Sequence, residues 1–498
     1  MADDAAETPL WAKVIDQSKC IGCHACTTAC KSENEVPLSV TRTFVKYVDV
    51  GHWPAARRSF QVTRCNQCDD PPCVDACPTG AMFRRPDGIV DFDKSVCIGC
   101  KACIAACPYD AIFINPEDHS AEKCNFCAHR IDMGLEPACV VVCPVEAILV
   151  GDLRDPDSGV ARFIDRGAVQ VRKPEKGTRP KLFYKSAHQA TLDPLAAQRP
   201  PGQLYMWAEQ PSGAGELGRG DPVTPANSAA AAIVSYDVSH RAPWDWRVSL
   251  YTWTKGLAVG VYLAALLLGL RLSGWPVLTP LLSGTFLAVT GLILVADLEH
   301  PRRFVLILLR PRWESWLVRG ALIISLYGLV LAAHFVLGLL GQVQATRWLA
   351  IAGAPLAMLT AVYTAFLFAQ ARARDLWQSP LLAPHLAVQA LMLGGAVELL
   401  LGVPGAALLL AGAAAVHLAL VAAEITVGHP TEHARRAAHQ MTTGRYARYF
   451  WAGVILALAS LGAPWLGTLA PLAAVAALAA VLAHEHAYVQ AGQSVPLA

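Results

Sequence analysis

The sequence predicts a protein in two parts, an α+β domain followed by an all-α transmembrane bundle of about eight helices. Two observations predict this division. All sixteen cysteines lie between Cys20 and Cys143, and the sequence after Arg247 consists mainly of long apolar runs. The charged fraction is only 16%, whereas a soluble globular domain has about 25% charged residues. The two parts are therefore expected to differ in chemistry and in surroundings.

Three segments follow from the composition along the chain. Residues 1–205 form the cysteine-rich domain, which includes a polar extension from about residue 151. Residues 206–245 are rich in Pro, Gly and Ala, the composition of a linker. Residues 246–498 form the membrane domain. The net charge of +2 argues against nucleic acid as a partner, because nucleic-acid-binding domains usually carry a strongly basic surface.

The start of the sequence is relevant to the state of the cysteines. The first twenty residues show neither a basic and apolar secretory signal nor a twin-arginine pair. Without export, the cysteines are expected in a reducing compartment. Clustered thiols in such a compartment are typical of metal sites rather than of disulfides.

The cysteines form four groups of four along the chain. The first and third groups follow the bacterial ferredoxin spacing C-x2-C-x2-C-x3-C. In such a run three thiolates bind one iron–sulfur cube, and the fourth binds a different cluster. Structural zinc also uses CxxC pairs, but two ferredoxin runs with no spare cysteine favour four [4Fe–4S] clusters. The groups are Cys20, Cys23, Cys26 and Cys30; Cys65, Cys68, Cys73 and Cys77; Cys97, Cys100, Cys103 and Cys107; and Cys124, Cys127, Cys139 and Cys143.

With these motifs, residues 13–200 resemble the four-cluster ferredoxin subunits of molybdopterin oxidoreductases, such as polysulfide, tetrathionate and dimethyl sulfoxide reductases. The resemblance implies two ferredoxin-like modules, one inserted in the other, and a molybdenum or tungsten pterin catalytic subunit as partner. It also implies that the outer motifs exchange their last ligands, as do the middle motifs. The implied ligand sets are Cys20, Cys23 and Cys26 with Cys143; Cys124, Cys127 and Cys139 with Cys30; Cys65, Cys68 and Cys73 with Cys107; and Cys97, Cys100 and Cys103 with Cys77.

Eight apolar runs in the second part are long enough to cross a bilayer, which takes about 20 residues. Helices of a soluble domain would show polar faces, and these runs do not. The predicted spans are 251–271, 277–297, 316–340, 347–370, 383–402, 405–427, 449–466 and 468–489.

Arginine is distributed unevenly between the two sides of this bundle. Basic residues in short loops mark the cytoplasmic side of a membrane protein. We therefore expect a multi-pass protein of the bacterial inner membrane whose cysteine-rich domain is cytoplasmic. The loops on the N-terminal side carry Arg302, Arg303, Arg310, Arg312, Arg319, Arg372, Arg374, Arg435, Arg436, Arg445 and Arg448, and the opposite loops carry Arg271 and Arg347.

Three stretches of the membrane domain resemble the NrfD-like anchors of polysulfide-reductase type, which are eight-helix, quinone-reactive subunits. The stretches are PWDWRVSLYTWTKGLAVGVYL, DLEHPRRFVLILLRPRWESWLVRGALIISLYG and YTAFLFAQARARDLWQSPLLAPHLAVQAL. The resemblance implies a site for menaquinone or ubiquinone near the cluster-facing end of the first four helices. The matching residues are Trp246, Tyr251, Lys255, Asp297, Glu299, His300, Arg303 and Tyr363.

The chemistry of a quinone site favours these residue types. Reducing a quinone takes two electrons and two protons, so the site needs aromatic walls, hydrogen-bond donors and an acid. Asp297, Glu299 and His300 supply such groups at the end of the second helix, although a charge-paired helix end is an alternative. Lys255 lies about one turn inside the first helix, where a charge is costly and usually functional. Its alternative is snorkelling to the interface.

Histidines at membrane depth leave a haem b alternative open, but no repeated spacing demands one. They are His334 and His417, with His385, His484 and His486 nearer helix ends. Glu398, His417 and Glu424 fit a proton path and simple pairing between helices equally well.

Together these features predict the electron-transfer and anchor subunit of a multisubunit respiratory oxidoreductase. We expect electrons to pass between a pterin subunit and membrane quinone through four clusters, with coupled proton movement as a further role. No pterin-binding segment is visible in the sequence, so substrate catalysis is expected on the partner. The alternatives are a hydrogenase- or haem-linked module, a redox-driven ion transporter and a purely structural anchor.

Overall fold

The computed structural model describes residues 8–51, 54–167, 169–198 and 232–498. Within these ranges a domain of short strands and helices precedes a bundle of long helices, which confirms the predicted fold class. The strands are β1 (Trp11–Asp16), β2 (Thr43–Val50), β3 (Arg57–Arg64), β4 (Met82–Arg84), β5 (Val90–Phe92), β6 (Ile112–Ile114), β7 (Ala121–Lys123), β8 (Ile148–Asp152), β9 (Val169–Gln170), β10 (Leu182–Lys185) and β11 (Ala232–Tyr236).

The helices divide into short ones in the first domain and long ones after it. The short helices are α1 (Ala25–Glu33), α2 (Pro72–Asp75), α3 (Ala102–Ala106), α4 (Ala128–Ile131), α5 (Ala138–Val141), α6 (Gly159–Arg166) and α7 (Gln189–Leu192). The helices of the second domain are α8 (Trp246–Leu267), α9 (Trp275–Ala296), α10 (Leu306–Leu309), α11 (Trp316–Leu339), α12 (Val343–Gln370), α13 (Leu382–Leu400), α14 (Ala406–Thr426), α15 (Glu432–Thr442), α16 (Ala447–Ser460) and α17 (Ala470–Gly492).

The first domain consists of an outer module with an inner module inserted in it. Strand β1 pairs antiparallel with β8 and parallel with β10, so the two ends of the domain share one sheet. The hairpins β4–β5 and β6–β7 lie between them in the sequence, and each follows a cysteine motif. The inserted arrangement is the one that the resemblance implies.

Strand β11 belongs to a second sheet, of order β11-β2-β3. It lies in the stretch 206–245 that we predict as a linker, of which residues 206–231 fall outside the described residues. From residue 232 onward the structure differs from that prediction. Ala232, Val234 and Tyr236 are buried, while Ile233 is exposed, and this alternation is typical of a strand packed on one face.

Eight helices are long and apolar enough to cross a membrane among the residues described, as the sequence predicts. Helix α8 begins at Trp246 rather than at residue 251, because the Asp245 side chain accepts a hydrogen bond from the Arg247 amide (2.8 Å). An aspartate in this position caps the first turn of a helix.

Helix α8 is the centre of the bundle. Of its most apolar stretch, 78% is buried, against 17% for α11. It packs against α9, α12, α13 and α17. The backbones of α8 and α13 touch, since a Cβ added to Gly260 would lie 2.0 Å from the Ala390 carbonyl oxygen. Small residues permit such close packing in membranes, and here they join the first four long helices to the last four.

The cysteine-rich domain lies against the loop that connects α9 to α11. In this loop the His300 amide donates to the Ile98 carbonyl (3.1 Å), and the Arg312 amide donates to the Pro78 carbonyl (3.2 Å). The Ser315 hydroxyl donates to the Ala76 carbonyl (3.0 Å). The arginine-rich end of the bundle therefore faces the cysteine motifs.

Candidate functional site

The sixteen thiols gather in four groups, and each group takes three cysteines from one motif and one from another. We name them by position. The exposed group is Cys20, Cys23, Cys26 and Cys143; the arginine-bound group is Cys30, Cys124, Cys127 and Cys139; the middle group is Cys65, Cys68, Cys73 and Cys107; and the membrane-side group is Cys77, Cys97, Cys100 and Cys103.

The exposed group lines a single cavity. Burial raises the pKa of the Cys20 thiol, and the neighbouring charges of Cys143 and Cys23 act in the same direction. Thiolates brought this close repel one another unless a cation separates them. The cavity therefore has the chemistry of a metal-cluster site.

In each of the other three groups, the thiols that act most strongly on one member are the other three members of that group. Burial raises the pKa of Cys30, Cys73 and Cys103, and nearby thiolates add to each shift. The neighbours are Cys124, Cys139 and Cys127 for Cys30; Cys107, Cys65 and Cys68 for Cys73; and Cys100, Cys77 and Cys97 for Cys103. These are the sets that the resemblance implies, while cluster ligation itself stays a prediction.

The four groups form a row. Cys26 of the exposed group lies within electrostatic reach of Cys139 of the arginine-bound group. Cys124 of the latter packs in one core with the cysteines of the inner module. Cys73 of the middle group acts electrostatically on Cys103 of the membrane-side group. Successive groups are therefore neighbours from one end of the domain to the other.

Backbone amides point at several of the sulfur atoms. The amides of Met82, Ala121 and Ala147 donate to the Sγ atoms of Cys77 (3.3 Å), Cys97 (3.4 Å) and Cys143 (3.2 Å). Hydrogen bonds to sulfur stabilise an iron–sulfur cluster and help to set its potential. Four thiols per group together with inward amides fit [4Fe–4S] clusters.

The two ends of the row have different surroundings. Cys23 is exposed, and Cys20 and Cys143 are half-buried. The apolar side chains of Ile21 and Val141 beside them are exposed as well. At the other end, the membrane-side group is covered by the membrane domain.

The membrane-side group touches the loop after α9 directly. A Cβ added to Gly99 would lie 2.4 Å from the Glu299 Cβ. The Arg303 guanidinium donates to the carbonyls of Lys94 (2.9 Å) and Cys97 (3.0 Å). The Trp244 indole donates to the Cys100 carbonyl (3.3 Å). The predicted quinone residues of this loop therefore lie next to the last thiol group.

Asp297 and His300 each keep a buried polar atom without a hydrogen-bond partner among the described residues, namely Asp297 Oδ1 and His300 Nε2. Burial raises the pKa of the Asp297 carboxyl to about 6, although Lys101 at 3.9 Å opposes the shift. The Arg247 guanidinium also lies 3.8 Å from Asp297 Oδ1, so both cations act on this oxygen from beyond hydrogen-bond distance. A buried polar atom without a hydrogen bond costs free energy. Both atoms are therefore suited to a polar ligand.

Lys255 lies inside the bundle rather than at its surface, with only 1% of its surface exposed. Its ammonium donates to the Ala361 carbonyl (2.9 Å) and to the Thr364 hydroxyl. The same ammonium lies 4.6 Å from the centre of the Tyr363 ring. Tyr251, one turn earlier on α8, is buried within electrostatic reach of Tyr363 and Asp297. Snorkelling to the interface does not describe this lysine.

The remaining predicted residues lie at the edges of this region. Trp246 is 56% exposed at the start of α8. The Glu299 carboxylate pairs with Lys101 (3.0 Å) and His119 (3.5 Å) of the cysteine-rich domain. Arg303 binds the cysteine loop, as described above. The structure thus brings Tyr251, Lys255 and Tyr363 together, with Tyr251 within electrostatic reach of Asp297. It places His300, Glu299 and Arg303 in the adjoining loop against the cysteine-rich domain, and Trp246 at the start of α8.

Two groupings are not predicted from the sequence, although the three histidines of the second one are named there individually. The rings of Trp244, Phe368 and Trp377 stack at 4.7 to 5.7 Å beside the membrane-side group. His385, His417 and His484 gather from α13, α14 and α17, with 2.8 Å between His385 Nε2 and His417 Nδ1. Neither set has a repeated spacing in the sequence, so only an approximate three-dimensional arrangement of the helices would have revealed them.

The sequence matches two family models of the same kind in its first part. Residues 19–82 and residues 57–153 match models described as 4Fe-4S dicluster domains. Residues 235–496 match the model described as polysulphide reductase, NrfD. The latter match covers more than half of the chain.

Curated relatives align with the cysteine-rich domain. A subunit of the tetrathionate reductase of Salmonella typhimurium is 44% identical over 40% of this chain and 80% of its own length. A polypeptide of the polysulfide reductase of Wolinella succinogenes is 43% identical over 34% of this chain and 91% of its own length. The arsenate respiratory reductase iron-sulfur subunit of Shewanella is 36% identical over 34% of this chain and 94% of its own length.

These matches agree with the geometry in both parts of the molecule. Four thiol groups occupy the region of the dicluster models, and eight membrane-spanning helices occupy the region of the anchor model. The chain therefore belongs to the NrfD polysulphide reductase family and joins such an anchor to an iron–sulfur electron-transfer domain.

Proposed function

We propose that this chain carries electrons through four [4Fe–4S] clusters between a catalytic partner and quinone dissolved in the membrane. The observation that carries the proposal is the row of four thiol groups. It begins at a solvent-exposed face and ends against Asp297 and Glu299, at the start of the loop that follows α9. Each bound cluster would accept and release single electrons. The thiols and inward amides of the chain hold the clusters in line and shield them from water.

Asp297, His300 and Lys255 are proposed to handle the quinone head group. His300 Nε2 is proposed to hydrogen-bond one quinone oxygen, and its support is that this buried atom has no hydrogen-bond partner among the described residues. Asp297 Oδ1 exchanges protons with the ligand, which suits a carboxyl whose pKa burial raises to about 6. Lys255 balances developing negative charge on the ligand, and Tyr251 and Tyr363 form aromatic walls. Matching a proton-exchanging group to the working pH is a general feature of acid–base sites.

The catalytic partner is proposed to bind at the exposed group. Cys23 reaches the surface there, beside the exposed side chains of Ile21, Val141 and Val142. The relatives named above are subunits of tetrathionate, polysulfide and arsenate reductases. We infer a molybdenum or tungsten pterin subunit as the partner, acting on a sulfur compound, formate or another small oxyanion.

The chain is proposed to lie in the bacterial inner membrane with its clusters on the cytoplasmic side. The support is the arginine bias of the loops, since basic loops stay in the cytoplasm. Those arginines contact the cysteine-rich domain, as Arg303 and Arg312 do.

Proton movement coupled to quinone chemistry is a second proposed role. The histidine cluster of α13, α14 and α17 supports it, because the three side chains are buried and two of them share a hydrogen bond. In a mutual hydrogen bond imidazoles can pass protons, whereas haem ligation by His385 would need the Nε2 atom that makes this hydrogen bond. An optical spectrum of the reduced protein without sharp b-type haem bands is the expected result.

The test of the quinone site uses pre-reduced protein mixed with a short-chain quinone under anaerobic conditions. The clusters lose visible absorbance when they are reduced, and the return of this absorbance in a stopped-flow instrument measures their reoxidation. We expect Asp297→Asn and Lys255→Met to slow reoxidation by about 100-fold, the usual scale of a lost acid–base group. Glu314→Gln is the matched control, because Glu314 is exposed on the same loop. If both variants were reoxidised at the native rate, the proposed quinone site would be refuted and the membrane domain would be a structural anchor only.

A further inference from the structure

We propose that Arg64 and Lys13 give the arginine-bound group the highest reduction potential of the four, so that an electron rests one position behind the exposed group. This inference rests on the proposed four-cluster row. In this inference, two buried cations determine which cluster is reduced first. Neither residue belongs to a cysteine motif.

Both cations contact the same sulfur. Arg64 ends β3 and is 2% exposed. Its Nη1 donates to the Sγ of Cys139 at 2.9 Å. Lys13 lies on β1 and is also 2% exposed, and its Nζ lies 3.9 Å from the same sulfur. Its ammonium sits 3.9 Å from the centre of the Phe126 ring, which holds it in place.

The Arg64 guanidinium has sulfur rather than carboxylate as its counter-charge. The groups that act most strongly on it are the thiols of Cys139, Cys26 and Cys124. Its Nε and Nη2 have no hydrogen-bond partner among the described residues. A buried cation is unfavourable unless an anion compensates it. A cluster with its four thiolates carries net negative charge, so it supplies that compensation.

The charge of Arg64 also acts on Cys26 and Cys20 of the exposed group, but no cation donates a hydrogen bond to a sulfur of that group among the described residues. Within the described ranges, the hydrogen bonds that Arg and Lys side chains donate to cysteine sulfur both end on Cys139. Asn34 adds neutral contacts of 3.7 Å to Cys30 and Cys127 of the same group.

Lys123 is the strongest rival, because its charge acts on Cys73 of the middle group. Its ammonium donates to the backbone carbonyls of Val90 and Cys124 instead of to sulfur. A cation that binds carbonyl dipoles is partly compensated already. Its effect on a cluster should therefore be smaller than that of Arg64.

The sign of the effect follows from charge. Reduction adds one electron, and the cluster becomes more negative by one charge. A cation and its N–H donor at contact distance stabilise the reduced form more than the oxidised form, which raises the potential. Removing the cation lowers the potential of that cluster most, lowers the potential of the neighbouring exposed group less, because Arg64 acts on Cys26 without a hydrogen bond, and leaves the two inner-module clusters nearly unchanged.

The test is an EPR-monitored redox titration of the full-length, cluster-loaded protein. We expect Arg64→Met to raise the oxidised-to-reduced ratio of the highest-potential cluster at least tenfold at fixed potential, about 59 mV for a one-electron couple. Arg64→Lys should keep most of the native value, and Lys13→Met should give a smaller shift in the same direction. Asn34→Asp places a negative charge beside Cys30 and Cys127. It should therefore lower the reduction potential of the same EPR signal, which identifies that signal as the arginine-bound group.

Arg58→Met is the matched control, because Arg58 lies on the same strand but pairs with Asp49 at the surface (2.7 Å). It should leave all four potentials unchanged. Two results would overturn the inference without touching the proposed function. One is an Arg64→Met protein with four full clusters and unchanged reduction potentials. The other is a change of potential in a signal that Asn34→Asp does not affect. A deficit of iron in the native protein would instead refute the four-cluster row itself.

Discussion

The two domains of this protein assemble their sites in different ways. In the cysteine-rich domain, three of the four thiols in each group come from one short stretch of sequence. In the membrane domain, Lys255 meets Thr364 and Tyr363 across more than one hundred residues of sequence. The first kind of site can be read from spacing, because the loop itself sets the distance between ligands. The second depends on helix packing, which composition does not specify.

Removal of one cluster ligand should give the largest effect. We expect Cys103→Ala to lose about four irons per chain, since a [4Fe–4S] cluster needs its thiolates, and to abolish electron flow from the exposed group to quinone. Iron analysis and reoxidation kinetics check this outcome. Ser95→Ala, which changes an exposed residue shortly before the third motif, should change neither. Full iron content in Cys103→Ala would contradict the claim that the short cysteine motif supplies the ligands of this cluster.

The pH dependence of quinol oxidation should test whether Asp297 is the proton-accepting group. The Asp297 carboxyl, whose pKa burial raises to about 6, is protonated below that pH and cannot accept a proton from quinol. Quinol oxidation should therefore rise as the pH increases through about 6. Stopped-flow reduction of the clusters by a quinol between pH 5 and pH 8 measures the profile. The inflexion should vanish in Asp297→Asn, and its persistence there would assign the proton to another group.

His240 links the segment entering α8 to the inner module. It binds Asp110 and lies 3.2 Å from Asp237. Burial alone lowers the pKa of His240, but the two carboxylates outweigh it and raise that pKa to about 9. Because the folded-state value is raised, the stabilisation is complete below pH 6.5 and is lost as the pH rises through 9.

The variant His240→Gln should accordingly lower the free energy of unfolding by about 3 kcal/mol at pH 6 and by much less at pH 10. Thermal unfolding in detergent at the two pH values gives the comparison. A difference in Tm between native and variant protein that does not narrow at high pH would contradict the ion pair.

The smallest effect is expected at the helix contact in the middle of the bundle. Gly260→Ala forces a methyl group against the Ala390 carbonyl, and overpacking of this kind costs about 2 kcal/mol. The variant Gly412→Ala is the matched control, because a Cβ there meets nothing within 4 Å. It should leave Tm unchanged or raise it slightly through better helix propensity. Equal Tm values for both variants would mean that α8 and α13 are not in backbone contact.

Much of this architecture was accessible from the sequence, for physical reasons that differ between regions. Eight helices are predicted because lipid requires long apolar segments. The strand Ala232–Tyr236 was missed, because its neighbours in the sequence have the composition of a linker and its pairing with β2 is long-range. Helix α8 started earlier than predicted, because the Asp245 cap, rather than the apolar run, sets its first residue.

The candidate site divides in the same manner. The cysteines stand out through their spacing, and Lys255 stands out because a charge inside an apolar run is rare. His385, His417 and His484 stand out singly as histidines in apolar runs, but their cluster does not, since they come together only through the packing of α13, α14 and α17. Arg64 is adjacent to Cys65 in sequence, yet its bond to Cys139 of another motif appears only in the fold.

Iron and acid-labile sulfide analysis of the anaerobically purified protein tests the central claim most directly. We expect about sixteen irons and sixteen sulfides per chain, four for each [4Fe–4S] cluster. Bound zinc, or substantially less iron, would contradict a continuous row of clusters from the exposed face to the membrane domain.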